Sequence, residues 1–299
     1  MTMLDTICKG GLGHALAAHA VWGSMPLYLL LVHDVPPLEF VAWRILVSVP
    51  LCLALITLTG RWAELRQVLA DGRAMLVLLV TSAMIAGNWF LYVWAIQTGH
   101  VFAASLGYYI LPLMMMLFGM AFLGERLRPR QWIAVGLAAI GVTVLASGAL
   151  TTLWVSLAMA LSFGIYGLLR KKVAAGPLAG LTVETLLLML PSALVVGWFA
   201  TQADGSVMGR DAVETGAIIL GGPMTALPLL LFATAVRRMP YTVLGFLQFI
   251  SPTVVFLLGL FVFHEPLRPA QLACFVAIWA AAALFCWDML ANARTRTVG

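Results

Sequence analysis

Ten apolar runs of about 20 residues, separated by short polar breaks, constrain this chain more than any other feature of its sequence. A bilayer core of about 30 Å takes about 20 mostly apolar residues per crossing helix. The runs fall at 11–32, 38–59, 73–96, 101–123, 130–149, 152–170, 178–201, 213–236, 240–263 and 269–290. Composition agrees: 63% of the 299 residues are hydrophobic and 10% charged, against roughly 25% charged in soluble domains. The expectation is an all-α polytopic membrane protein with ten transmembrane helices. The first run is read as a retained helix, since His14, His19 and Pro26 interrupt it and no clear small-residue cleavage site ends it.

The net charge of +5 raises the question of a nucleic-acid partner, and the positions of the basic residues answer it. Fourteen of seventeen fall at the termini or in the even-numbered loops: Lys9; Arg61, Arg66 and Arg73; Arg126, Arg128 and Arg130; Arg170, Lys171 and Lys172; Arg237 and Arg238; Arg294 and Arg296. The odd-numbered loops hold Arg210 and Arg268, and Arg44 lies inside a run. The positive-inside rule then places both termini in the cytoplasm. The basic charge encodes topology, with lipid as the partner and no nucleic acid.

The stretch 111–131, LPLMMMLFGMAFLGERLRPRQ, has a second version at 251–271, SPTVVFLLGLFVFHEPLRPAQ. Pro112/Pro252, Gly119/Gly259, Glu125/Glu265, Arg128/Arg268, Pro129/Pro269 and Gln131/Gln271 all stand 140 residues apart, as do Pro37 and Pro177. Two units follow, 1–150 and 151–299. Each holds five runs, an odd number, so the second unit enters the membrane from the opposite side. Two inverted repeats are an architecture of secondary transporters, with a substrate site near the midplane between the halves. Proline bends or breaks helices, and paired prolines suggest gates; Pro26, Pro112 and Pro252 are the candidates.

Few ionisable residues lie deep in the runs, and such residues mark pathways or buried pairs. Arg44 and Glu184 are two of them, again 140 apart. Each sits about two turns from its own surface, which leaves about 12 Å between them along the normal and disfavours a direct pair. Arg44 is expected to hold an anionic or carbonyl-bearing part of a substrate, and Glu184 a cationic part or a proton. His19, also deep, is a second candidate for proton coupling. Asn88, Trp89, Tyr108 and Gln248 supply the amides and aromatic surface of a pocket for a small amphipathic molecule, while Asn88 and Gln248 could equally tie neighbouring helices together.

HExxH, GxSxG and GxxxxGK[ST] are absent, so no enzyme and no ATP-driven pump is indicated. Cys8, Cys52, Cys274 and Cys286 form no CxxC pair, and the histidines show no metal spacing; no cofactor or metal is implied. Ala273, Ala277 and Ala281 present a small-residue stripe, usable within one protomer or in a homodimer. A membrane scaffold or sensor with a pocket and no transport is the alternative to a transporter.

The segments WGSMPLYLLL (22–31), EFVAWR (39–44), GNWFLYVWA (87–95), ASLGYYILPL (104–113), FLGERLR (122–128), YGLLRKK (166–172), ETLLLMLP (184–191) and LGFLQFISPT (244–253), in this order, resemble the RarD branch of the EamA-type drug/metabolite transporter superfamily. The resemblance implies ten helices in two inverted five-helix halves in a bacterial inner membrane, moving a small metabolite or drug-like molecule. Leu30 stands where the family pattern has a lysine, and Trp43 where it has a histidine beside the arginine of the second helix.

Overall fold

The computed structural model describes residues 10–32, 34–98, 100–147, 150–203, 205–264 and 269–295. Lys9, Cys8, His33, Glu265, Arg268 and Arg296 therefore lie outside the described residues. Those described form helices and connecting turns with no strand, and ten helical segments are long and apolar enough to cross a membrane. In chain order the α-helices are α1 (Leu12–Leu29), α2 (Pro37–Leu58), α3 (Trp62–Ala70), α4 (Gly72–Gln97), α5 (Val101–Leu123), α6 (Pro129–Ala146), α7 (Leu153–Lys172), α8 (Pro177–Ala200), α9 (Ala212–Arg238), α10 (Tyr241–Leu247), α11 (Ile250–Phe261) and α12 (Pro269–Thr295). The all-α polytopic expectation holds.

Two elements differ from the sequence reading. The segment expected as a loop after the second run contains α3, too short and too polar to span. Its Leu65 and Val68 are buried, packed with Ile56, Leu78, Leu178 and Ala179, while Arg61 and Glu64 pair at 3.5 Å on its outer side. The ninth run is two helices, α10 and α11, parted at Gln248–Phe249. A proline ring conflicts with the carbonyl four residues earlier and offers it no N–H. Pro252 therefore ends the preceding helix near Gln248, while itself sitting in the first turn of α11, where no donor is missed. Pro26, Pro50, Pro112, Pro191, Pro223 and Pro228 lie inside helices that continue through them.

Helix starts follow from local chemistry. Pro37, Pro129 and Pro177 occupy first-turn positions, where the missing N–H costs nothing. Asp211 caps α9, accepting from the Glu214 backbone at 2.9 Å.

The faces at which α1 begins and α12 ends coincide, since the chain crosses ten times; this is called the terminal face. There, basic side chains bond the open carbonyls of neighbouring helix ends. Lys171 donates to the Val236 and Met239 carbonyls at 2.8 and 2.6 Å. Arg237 donates to those of Val173 and Ala175 at 2.8 and 2.9 Å, and Arg238 to that of Gly10 at 3.1 Å. On the opposite face, Glu39 Oε1 accepts from Ser206 Oγ at 2.6 Å and from the Val207 backbone at 3.0 Å.

α6 and α12 pack on each other at one edge of the bundle. A Cβ at Gly141 would meet Ala277 at 2.9 Å, and Ala281 is fully buried, so two members of the small-residue stripe serve contacts within the protomer. Arg128 and Asp288 fasten the same pair at 3.4 Å.

Candidate functional site

Between α2, α4, α8 and α9 lies a narrow cleft with room for about one water molecule in this conformation. Ile45 and Ser48 of α2, Ile85 and Trp89 of α4, Glu184 and Thr185 of α8, and Thr225, Ala226 and Leu229 of α9 are among its walls. Arg44 and Glu184 each follow their helix's opening proline by seven residues, 37 to 44 and 177 to 184. That is about 10 Å of helix, which brings both toward the middle of the membrane.

Arg44 reaches α9 because that helix is bare where it crosses α2. A Cβ at Gly221 would lie 2.7 Å from Arg44 Cγ and 2.8 Å from the Tyr28 hydroxyl, and one at Gly222 would strike Val47 at 2.7 Å. Arg44 Nε donates to Thr225 Oγ1 at 2.7 Å, and Thr225 in turn donates to the Gly221 carbonyl at 2.7 Å. The guanidinium carbon lies 5.3 Å from the Phe40 ring centre and 5.9 Å from that of Trp89, within cation–π range. Tyr28, Tyr92 and Tyr108 are within its electrostatic reach, and the rings of Tyr92 and Tyr108 meet edge-on at 6.1 Å.

Glu184 is buried, 2% exposed, and is held by three groups. Thr81 Oγ1 donates to its Oε1 at 2.6 Å, the Tyr166 hydroxyl donates to its Oε2 at 3.4 Å, and Arg170 Nε lies 3.7 Å from Oε1. The ion-pair partner of Glu184 is therefore Arg170. Arg170, read from the sequence as one of three loop bases, is 1% exposed. Its Nη2 donates to the Pro177 carbonyl at 2.9 Å, whereas Nε and Nη1 have no hydrogen-bond partner among the described residues. Arg44 and Glu184 do not pair, as the depth argument anticipated; Thr225 and Trp89, which hold Arg44, border the same cleft as Glu184.

The structure thus places Trp89 and Glu184 on one cleft, with Arg44 adjoining it through Thr225 and Trp89 and Tyr108 within reach of Arg44. It places the other candidates elsewhere. Asn88 Nδ2 donates to the Met159 carbonyl at 2.8 Å and to Ser162 Oγ at 3.1 Å, tying α4 to α7. Gln248 sits at the α10–α11 break with Nε2 3.4 Å from Met115 Sδ. His19 is fully buried; its Nδ1 shares a hydrogen bond with Ser251 Oγ at 3.0 Å, which joins α1 to α11. Among the described residues no group of three or more His, Cys, Asp or Glu could hold a metal. Trp43 turns to the opposite face, its Nε1 3.3 Å from Ser206 Oγ, and Leu30 is half exposed; neither of the two positions that depart from the family pattern borders the cleft.

Sequence reasoning missed Thr81 and the bonds that Arg170 and Tyr166, the latter expected only as aromatic surface, make to Glu184. It also missed the role of Glu125, whose two carboxylate oxygens accept from the Tyr241 and Thr242 backbones, each at 2.7 Å. Gly124, in the left-handed region at φ 66°, ends α5 and turns the chain back. Gly119 leaves the room that the carboxylate occupies, for a Cβ there would lie 2.8 Å from Glu125 Oε2. Glu125 thereby clasps the start of α10 from the end of α5. Deeper in, α10 and α5 touch where a Cβ at Gly245 would lie 3.0 Å from the Pro112 carbonyl. α11, by contrast, packs against α1.

A model of the EamA-like transporter family matches residues 9–147. An uncharacterized transporter of Pseudomonas aeruginosa is 42% identical over 287 residues, which cover 93% of this chain and 94% of that one. Protein RarD of Streptomyces exfoliatus is 38% identical over 287 residues, covering 96% and 91%, and protein RarD of Escherichia coli 36% over 288 residues, covering 94% and 95%. One solved crystal structure aligns with a TM-score of 0.74 over 92% of this chain and 96% of that one at 20% identity, a likeness of fold alone. The family and the relatives from Pseudomonas aeruginosa, Vibrio cholerae and Bacillus subtilis that are named as transporters point to a transporter rather than an enzyme. Ten apolar helices, together with relatives matched over nearly its whole length, establish that this chain belongs to the RarD branch of the EamA-type drug/metabolite transporter superfamily.

Proposed function

We propose that the protein is a secondary transporter of the bacterial inner membrane that moves a small amphipathic molecule by alternating access, with its site in the cleft between α2, α4, α8 and α9. The observation that carries this reading is the cleft itself: one ionisable side chain from each half of the chain, the buried Glu184 and the part-buried Arg44, borders or adjoins one space within the membrane-spanning helices. A path across a bilayer needs polar groups where lipid tolerates none, and such groups are costly unless used.

The two units, 1–150 and 151–299, act in this reading as inverted repeats. Support comes from the matched depth of Arg44 and Glu184 and from position 264, which is 140 residues beyond Gly124. His264 adopts φ 53° where Gly124 has φ 66°, so the two halves turn left-handed at corresponding helix ends. In this reading the clasp of Glu125 between α5 and α10 holds the terminal face closed. Fourteen basic residues on that face, thirteen once Arg170 is counted as buried, make it cytoplasmic. Opening it requires α10 to leave α5, and the break at Gln248–Phe249 lets α10 move apart from α11.

Single cysteines at Ser48 and Ala226, in a background without native cysteines, test the cycle in oriented proteoliposomes. Alternating access makes both reactive toward an impermeant reagent from either face in turn. Reactivity from one face only under all conditions, with no flux of any loaded solute, would replace the transporter by a sensor or scaffold.

A further inference from the structure

Arg44 adjoins the cleft through Thr225 and Trp89, and the charge balance there selects the ligand. Glu184 faces Arg170 at 3.7 Å, so these two add no net charge. Arg44 has no such counterpart: among the described residues no carboxylate lies within ion-pair distance of it, and beyond the Nε bond to Thr225 its two Nη groups make no hydrogen bond. The acid nearest along α2, Glu39, is five positions earlier and so about 140° around the helix. Its Oε1 is already engaged by Ser206 and Val207 at the opposite face. Aromatic carbon surrounds the guanidinium instead, with Phe40 at 5.3 Å and Trp89 at 5.9 Å.

We infer that a monoanionic carboxylate bearing a flat apolar ring binds where Arg44 adjoins the cleft, the acid on the free Nη fork of Arg44 and the ring against Trp89, which lines the cleft. A guanidinium presents two parallel N–H donors that match a carboxylate. One negative charge cancels the one unbalanced positive charge; a cation would meet Arg44 unshielded, and a dianion would leave an excess charge in a low-dielectric space. This inference rests on the reading of the cleft as the transport site.

Phenylacetate, phenylacetamide and phenethylamine share one ring and differ in the charge of the head group, so they separate these terms. Binding is read with the purified full-length protein as saturable thermal stabilisation. Phenylacetate should bind about tenfold or more tightly than the amide, from the strength of charge-assisted hydrogen bonds, and the amine most weakly. Arg44→Gln should bring the acid down to the level of the amide, and Trp89→Leu should weaken acid and amide alike. Tighter binding of the amine, acid binding unchanged by Arg44→Gln, or no saturable binding of the acid overturns the inference. Should Arg44→Gln fail to fold, the order of the three probes on the parent protein decides. Flux through proteoliposomes keeps the two readings apart. Acid binding without flux of any probe refutes transport and leaves the anion site, whereas flux of the amide or amine unaffected by the acid refutes the anion site and leaves transport.

Discussion

Glu184 and Arg170 form a buried pair whose two members depend on each other unequally, and a double-mutant cycle measures the difference. Glu184→Leu leaves Arg170, 1% exposed, with a single hydrogen bond, from Nη2 to the Pro177 carbonyl. The cost should fall at the upper end of the 3–5 kcal/mol typical of a broken buried pair, about 5 kcal/mol. Arg170→Met leaves Glu184 with the Thr81 and Tyr166 hydroxyls at 2.6 and 3.4 Å, so it should cost about 3 kcal/mol. The double variant removes both charges and fills similar volume with apolar atoms. It should lie within about 2 kcal/mol of the parent, against about 8 kcal/mol if the singles simply added. Unfolding of the purified protein in mild detergent reads all four corners of the cycle. A double variant that loses the sum of the singles refutes the pairing. A double variant as stable as the parent but unable to transport would show that the pair serves the transport cycle as well as the fold.

Removing the clasp with Glu125→Ala should free the start of α10 and raise the reactivity of a cleft cysteine from the terminal face, while unchanged reactivity would show that the clasp does not gate. Gly119→Ala drives a methyl group into the Glu125 carboxylate and Thr242; it should produce the same bias with Glu125 intact, at a cost of about 1–3 kcal/mol read as a lower melting temperature. Thr225→Val removes the acceptor of Arg44 Nε and should weaken binding of phenylacetate several-fold without loss of insertion, checked by the same thermal titration. For topology, an impermeant thiol reagent on intact cells should label a cysteine at position 202 and not one at position 172; the reverse pattern inverts the assignment.

The ten spans were legible because an apolar length of about 20 residues is a strong signal that needs no knowledge of packing. α3 was not, since a nine-residue helix with Glu64, Arg66 and Gln67 on its outer side looks like a polar break until Leu65 and Val68 are seen against α8. Arg170 was hidden by its neighbours. In RKK, three adjacent bases read as one cytoplasmic cluster, yet each step around a helix turns about 100°, so Arg170 faces Glu184 while Lys172 is exposed. The depth of Glu184 could be read from its distance to Pro177, but not its partner, because only the folding of α7 onto α8 brings Arg170 there. The break in the ninth span was signalled by Pro252 and displaced four residues toward Gln248 for the reason proline breaks helices at all.

The clasp at Glu125 has an uneven genetic signature. Its acceptor is a side chain, while its donors are the main-chain N–H groups of residues 241 and 242, which every amino acid except proline supplies. Exchanges at these two positions should therefore leave the clasp closed, whatever they do to packing, and only proline there should mimic loss of the acid. At 125 the tolerance is opposite: aspartate is one methylene too short to span both donors from the same turn, and glutamine offers one acceptor where two are needed. In a saturation library read as access to the cleft from the terminal face among folded variants, position 125 should appear nearly invariant, while exchanges at 241 and 242 should register through the packing of these buried side chains and the Tyr241 bond to the Gly164 carbonyl, not through the clasp.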